Sequence, residues 1–240
     1  MQASVENPVG LSSADGHKMT YNTEDILIGL CESVSQVLAK ASHSQIRYSG
    51  MVQRIQRTCL KPDIGCFVLF DGGFTGLVVI NFSSAAAMEL YENYMINMGM
   101  SREGLASSHT SDEVSNVMGE LMNQMVGDFT GRIARELQTH ITQNQPKMLV
   151  LNKQVLLSVD TNLDQPEARR VTFFTERNNI FYLELAVDRT EFIRLRDFET
   201  FDSVSAEDVF ESAGKARAAA DSAVSEASSA ADDLLESLGM

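Results

Sequence analysis

The stretch from Ser111 to His140, SDEVSNVMGELMNQMVGDFTGRIARELQTH, constrains the fold more than any other part of the chain. It contains no proline, and as a helix it would span roughly 45 Å. At about 100° per residue, Val114, Met118, Leu121, Met122, Met125, Val126, Phe129 and Ile133 fall on one broad apolar face. Glu113, Asn116, Glu120, Asn123, Gln124, Gly127 and Gly131 fall on the opposite face. The apolar stripe predicts a helix docked on a core. The other face is unusual for a solvated surface, because it carries neutral amides, two acids and two glycines. Each exposed mid-helix glycine costs about 1 kcal/mol relative to alanine. Two readings stay open on the pattern alone: a polar face with poor helix formers, or a face whose backbone something must approach closely.

A chain of 240 residues, 44% of them hydrophobic, is long enough to bury one substantial core or two small ones. The formal net charge of −14 argues against nucleic acid bound through a general basic surface. From Asp197 to Met240 eleven acids face only Lys215 and Arg217, a net of −9, which leaves −5 for residues 1–196. The expected organisation is a flexible arm over 1–22, one domain over 23–196, and an acidic Ala/Ser-rich tail over 197–240. Cys31, Cys59 and Cys66 have no CxxC spacing, so neither a disulfide framework nor a zinc signature is expected. No secretory signal and no apolar run of membrane-spanning length is read, and a cytoplasmic protein is expected.

Before the long helix, Thr23–Ala41 reads as a helix capped by Thr23, with Ile26, Leu27, Leu30, Val34, Val37 and Leu38 as its apolar stripe. Met51–Cys59 is a strand candidate with poor alternation. Gly65–Phe70 and Gly76–Phe82 flank Asp71-Gly72-Gly73-Phe74-Thr75, which predicts an antiparallel hairpin. That loop lacks the Gly-Lys-Ser/Thr ending of a phosphate-binding loop. Ser83 and Ser84 begin a helix to about Met98. After the long helix come a strand over Gln154–Asp160 and a hairpin of Arg170–Thr175 with Ile180–Asp188. This order predicts an α+β fold: a mostly antiparallel sheet covered on one side by long helices.

His17, His43, His109 and His140 are scattered and show no HExxH spacing, so no triad or metal site is read from them. The methionines on the long helix and the helix before it read as core filling. No cofactor fingerprint appears.

Gly119-Glu120-Leu121-Met122-Asn123-Gln124-Met125-Val126-Gly127 resembles the GExxNxxxG signature of the CheX/CheC/FliY family of chemotaxis phosphatases. The hairpin with its Gly-rich turn, the Ser-rich helix start and the signature helix follow one another as in that family, over roughly Ile26 to Val187. The resemblance implies a CheX/CheC-like fold and a phosphatase acting on the phospho-aspartate of a CheY-like response regulator. It implies that Asn123 orients the attacking water and that Glu120 pairs with a lysine of the regulator. It also implies that magnesium sits on the regulator, with no cofactor of the chain's own, and that Gly119 and Gly127 are the glycines of close approach. The residue four before the motif glutamate, often Asp or Ser in the family, is Asn116 here. Glu113 and Asn116 repeat the Glu-x-x-Asn spacing one heptad earlier and form a secondary candidate pair; the flanking glycines favour Glu120 and Asn123.

The chemistry suits such a role. Phosphoryl transfer needs positioning and charge stabilisation more than a covalent nucleophile, and a carboxamide can donate to and accept from one water. The alternative is a binding module of the same fold that docks signalling or flagellar-switch proteins without hydrolysis. A homodimer through a free sheet edge is a further expectation, with no sequence signal for which edge.

Overall fold

The Gly-rich turn near residue 73 organises the sheet as expected. In the computed structural model, which describes residues 20–151 and 153–193, β4 (Ile64–Gly72) and β5 (Gly76–Phe82) form the antiparallel hairpin. Gly72 carries φ +147, and a Cβ there would meet the His140 carbonyl oxygen, so the turn needs glycine. The acidic tail expected at 197–240, and residues 1–19 of the expected arm, lie outside the described residues.

The last three residues of that arm are not loose. β1 (Thr20–Asn22) pairs antiparallel with β11 (Glu191–Ile193) and leads directly into α1 (Thr23–Ser42). The cap of α1 is Asn22, not Thr23. Its extended backbone leaves the carboxamide free to accept from the Glu24 and Asp25 N–H groups, while the Asp25 carboxylate accepts from the Asn22 N–H. Thr23 is already inside the helix, so it cannot play that part.

The single strand expected over Met51–Cys59 is two: β2 (Arg47–Ile55) and β3 (Thr58–Leu60). The poor alternation has a physical cause. The register of β2 shifts between Tyr48 and Val52, and β3 leaves the main sheet to pair with β8 (Leu157–Val159). α2 (Ser84–Asn97) starts at Ser83, whose hydroxyl accepts from the Ala86 N–H. α3 (Asp112–Glu136) starts at Ser111 and stops four residues short of His140. The chain turns there through Gln138, at φ +47, to reach β6 (Ile141–Gln143) and β7 (Lys147–Val150), neither of which was expected. β9 (Pro166–Phe174) and β10 (Ile180–Asp188) complete the second hairpin.

The main sheet runs β2-β9-β10-β5-β4-β6, with β7 also paired to β4, and every pairing is antiparallel. The period-2 alternation of the strands divides their apolar side chains between two clusters. Phe181, Leu183, Leu185 and Val187 join Val78, Ile80 and Phe82 in one cluster with the apolar stripes of α1, α2 and α3. Leu77, Val79 and Ala186 join Leu60, Leu151 and Ala168 in a smaller one on the other face. β5 is therefore buried along its whole length. α1 lies close against α3 at Gly29, where a Cβ would stand 3.2 Å from Ile133. Arg132 of α3 reinforces that contact by pairing with Glu32 at 2.5 Å and Gln36 at 3.0 Å.

Two buried acids belong to the framework. Glu184 in β10 has a fully buried side chain and accepts from the Cys59 N–H (2.9 Å), Lys61 Nζ (3.1 Å) and Arg170 Nη2 (2.7 Å). Glu89 of α2 accepts from Thr175, Asn179 and the Arg177 N–H, which pins the turn between β9 and β10.

Candidate functional site

The apolar periodicity of α3 decides where its other residues point. Val114, Met118, Leu121, Met122, Met125, Val126, Phe129 and Ile133 are all 0% exposed. Burying a stripe of this kind leaves the opposite face outward. Glu113, Asn116, Glu120, Asn123 and Gln124 are exposed, and Gly119, Gly127 and Gly131 are half-buried.

Glu120 and Asn123 lie one turn apart and keep different company. Glu120 Oε1 accepts from Gln124 Nε2 at 2.8 Å, a contact within the same helix. Asn123 Oδ1 accepts from Gln143 Nε2 at 3.0 Å, a contact from β6. Among the described residues, Asn123 Nδ2 has no partner, so its two N–H groups and one lone pair of Oδ1 stay available.

The secondary pair is arranged differently. Glu113 Oε1 accepts from the hydroxyl of Tyr91 at 2.5 Å, and that hydroxyl accepts from the Ala106 N–H at 3.0 Å. Burial and the Glu113 carboxylate beside it push the Tyr91 phenol up from its ordinary pKa. Glu113 thus ties the start of α3 to α2 and to the loop between them.

At Gly119 and Gly127, no contact among the described residues forces glycine. A Cβ at Gly119 would stand 3.6 Å from Met148, and one at Gly127 would stand 3.8 Å from Gln143 Nε2. Both are ordinary van der Waals distances. Gln143 is the site neighbour that the sequence did not reveal, since nothing in Ile141-Thr142-Gln143 signals a strand beside the helix.

Among the described residues, no group of three or more His, Cys, Asp or Glu side chains is placed to hold a metal ion. No helix among them is long and apolar enough to cross a membrane. Cys66 is fully buried, and burial pushes its thiol far above the ordinary range; the Cys31 thiol is pushed up to about 12. Neither is an activated nucleophile.

Solved structures that share this arrangement of sheet and helices include chemotaxis proteins. The chain is similar to a CheX from Desulfovibrio desulfuricans, with 15% identity over 68% of this chain and 99% of that one and a TM-score of 0.57. A CheX from Vibrio vulnificus matches at 14% identity over 68% and 99%, with a TM-score of 0.56. A CheC-like superfamily protein from a Shewanella species matches at 16% identity over 68% and 97%, with a TM-score of 0.55. The fold is therefore of the CheX/CheC-like class. The chain itself belongs to the family described as "Protein of unknown function (DUF3334)", whose model matches residues 17–240. No curated protein matches it in sequence.

Proposed function

We propose that this protein is a phosphatase acting on the phospho-aspartate of a CheY-like receiver domain. The observation that supports it most directly is the exposed Glu120/Asn123 pair, open to a docking protein, on a chain with a CheX-like fold. The receiver domain docks on the outward face of α3. Magnesium would be held by the receiver domain, where it would offset the phosphoryl charge, and this chain would need no cofactor of its own. Asn123 holds a water in line with the acyl phosphate, its Oδ1 accepting a hydrogen bond from that water and its Nδ2 donating one to the phosphoryl group. The water attacks phosphorus, the phosphorus–oxygen bond to the aspartate breaks, and the carboxylate leaves with the bond's electrons. Inorganic phosphate is released carrying both protons of the attacking water, and the receiver aspartate is restored.

Positioning is the whole contribution such a site needs, because the transition state is loose and the leaving carboxylate is stable. Glu120 pairs with a lysine of the receiver, a charge-assisted contact that sets the register of the complex. Gly119 and Gly127 keep the helix surface low on either side of the pair, so the partner's backbone approaches without meeting a side chain. Chemotaxis or a related two-component pathway in the cytoplasm is the setting that fits this chemistry.

The test mixes the full chain with a receiver domain phosphorylated by a small acyl phosphate. Phosphate release above the spontaneous rate, lost in Asn123→Ala, is expected. Complex formation with no added release would instead leave a binding module of this fold.

A further inference from the structure

We infer that Gln143 is a positioning residue of the candidate site: it orients the Asn123 carboxamide so that its NH2 group faces the docking partner. This inference rests on the phosphatase role for what the orientation is used for, but the orientation itself can be tested without it.

β6 carries Gln143 to the helix. The strand pairs with β4 through Ile141↔Gly72, Thr142↔Asp71 and Gln143↔Phe70. Alternation puts Ile141 and Gln143 on one side of it and Thr142 on the other. Ile141 packs against the large apolar cluster that contains α3, while the Thr142 hydroxyl turns back to the Asp71 carbonyl. Gln143 therefore lies against α3, and its carboxamide makes contacts at both ends. Nε2 donates to Asn123 Oδ1 at 3.0 Å and reaches the Asn123 carbonyl oxygen at 3.4 Å. Oε1 stands 3.4 Å from the hydroxyl of Thr130. That hydroxyl is itself held by the Val126 carbonyl at 2.9 Å and the Gly127 carbonyl at 3.2 Å.

The consequence for Asn123 follows from its two ends. An exposed asparagine on a helix presents either its oxygen or its nitrogen outward at little energetic difference. Gln143 breaks that symmetry: the Asn123 carbonyl oxygen can only accept and so draws the Nε2 end of Gln143 to this side, and a donor aimed at the Asn123 side chain is satisfied only by its oxygen end. The NH2 group then points away from β6. A carboxamide held this way before the partner arrives loses little freedom when the complex forms, and preorganised donors are worth more than donors that must turn into place.

Two variants and two readouts decide it. Gln143→Ala removes the donor. Gln143→Glu keeps the size but offers only acceptors, so Asn123 must turn its NH2 group inward. With the full chain and a phosphorylated receiver domain, kcat is expected to fall about tenfold in both, a loss of the size that small misplacements cause. KM is expected to change less than about twofold, because the docking contacts remain. The thermal midpoint is expected to stay within about 3 °C, as for a partly exposed hydrogen bond. The second readout is the side-chain amide signal of Asn123 in a nitrogen-15 spectrum, assigned by its absence in Asn123→Ala. It is expected to shift in both Gln143 variants. If kcat in an active parent stays unchanged in both, Gln143 does not position Asn123 for hydrolysis. If the parent releases no phosphate at all, the phosphatase role falls while the spectrum still judges the orientation: an unmoved Asn123 signal overturns it, and a shifted one upholds it.

Discussion

Two Glu-x-x-Asn pairs stand a heptad apart on the same face of α3, and the rest of the molecule treats them in opposite ways. Glu113 reaches across to Tyr91, whose hydroxyl also holds the backbone of Ala106. It therefore joins three consecutive segments: α2, the loop after it and the start of α3. Among the described residues, Glu120 bonds only to Gln124 of its own helix. Asn116 makes no side-chain hydrogen bond among the described residues, whereas Asn123 is gripped at its oxygen by Gln143. One pair is an acid tied into the fold beside an idle amide; the other is an untied acid beside an oriented amide. Equal spacing on a helix thus carries no equality of role. The difference lies in what the neighbouring elements bring within hydrogen-bond distance. Glu184 extends the tied case to its limit, with both oxygens engaged and no exposed surface.

The comparison can be broken in several ways. The largest effect is expected at Glu184. Its replacement by Ala leaves Lys61 and Arg170 without their shared counter-charge, and should destabilise the fold by about 3–5 kcal/mol. Glu120→Ala should stay within about 0.5 kcal/mol of the parent, as surface substitutions do. Urea unfolding of both measures this, and similar losses would erase the distinction between tied and untied acids. Next, Asn123→Ala should lower phosphatase turnover by about 10²-fold, or roughly 2.7 kcal/mol in the barrier. Asn116→Ala should leave turnover unchanged. The reverse result would move the site to the earlier pair.

Tyr91→Phe should sharpen the structural half. It strips a hydrogen bond from Glu113 and from the Ala106 N–H, and a cost of about 1–2 kcal/mol is expected with phosphatase turnover retained. Of similar size is a pair of glycine substitutions. Gly131→Ala and Gly127→Ala should each stabilise the helix by up to about 1 kcal/mol, since among the described residues neither Cβ meets anything closer than van der Waals distance. Only Gly127→Ala should lower kcat/KM, because it lies beside the pair. Equal behaviour would mean that no partner comes close there.

The smallest effect concerns pH. The Ser84 N–H donates to Asp63 at 2.7 Å and holds its carboxyl below the usual aspartate value. A depressed folded pKa contributes stability that is present above the unfolded value. That stability is lost as pH falls through the folded one. Asp63→Asn should therefore lower the thermal midpoint slightly at neutral pH, match the parent once Asp63 is protonated, and so flatten the fall of the midpoint on acidification.

Much of this was visible in the residues themselves. The apolar period of Val114 to Ile133 determined α3 and which of its residues point outward, because a helix repeats every few residues whatever surrounds it. The glycines of the Asp71–Thr75 loop, and the alternation of Phe181 to Val187, determined two hairpins for the same local reason. The strand over Met51–Cys59 is two strands because its pairing depends on β9 and β8, roughly a hundred residues or more away. The cap at Asn22 was missed by one residue, since the pairing of β1 with β11 decides where the helix begins.

The sequence by itself thus determined the helix, its two faces and the spacing of both acid–amide pairs. Only the tertiary structure decided that Tyr91 occupies Glu113 and that β6 lays Gln143 against Asn123. Those contacts join residues about twenty positions apart through a sheet register and a helix docking angle. No local period encodes either, because each is set by how the whole core packs.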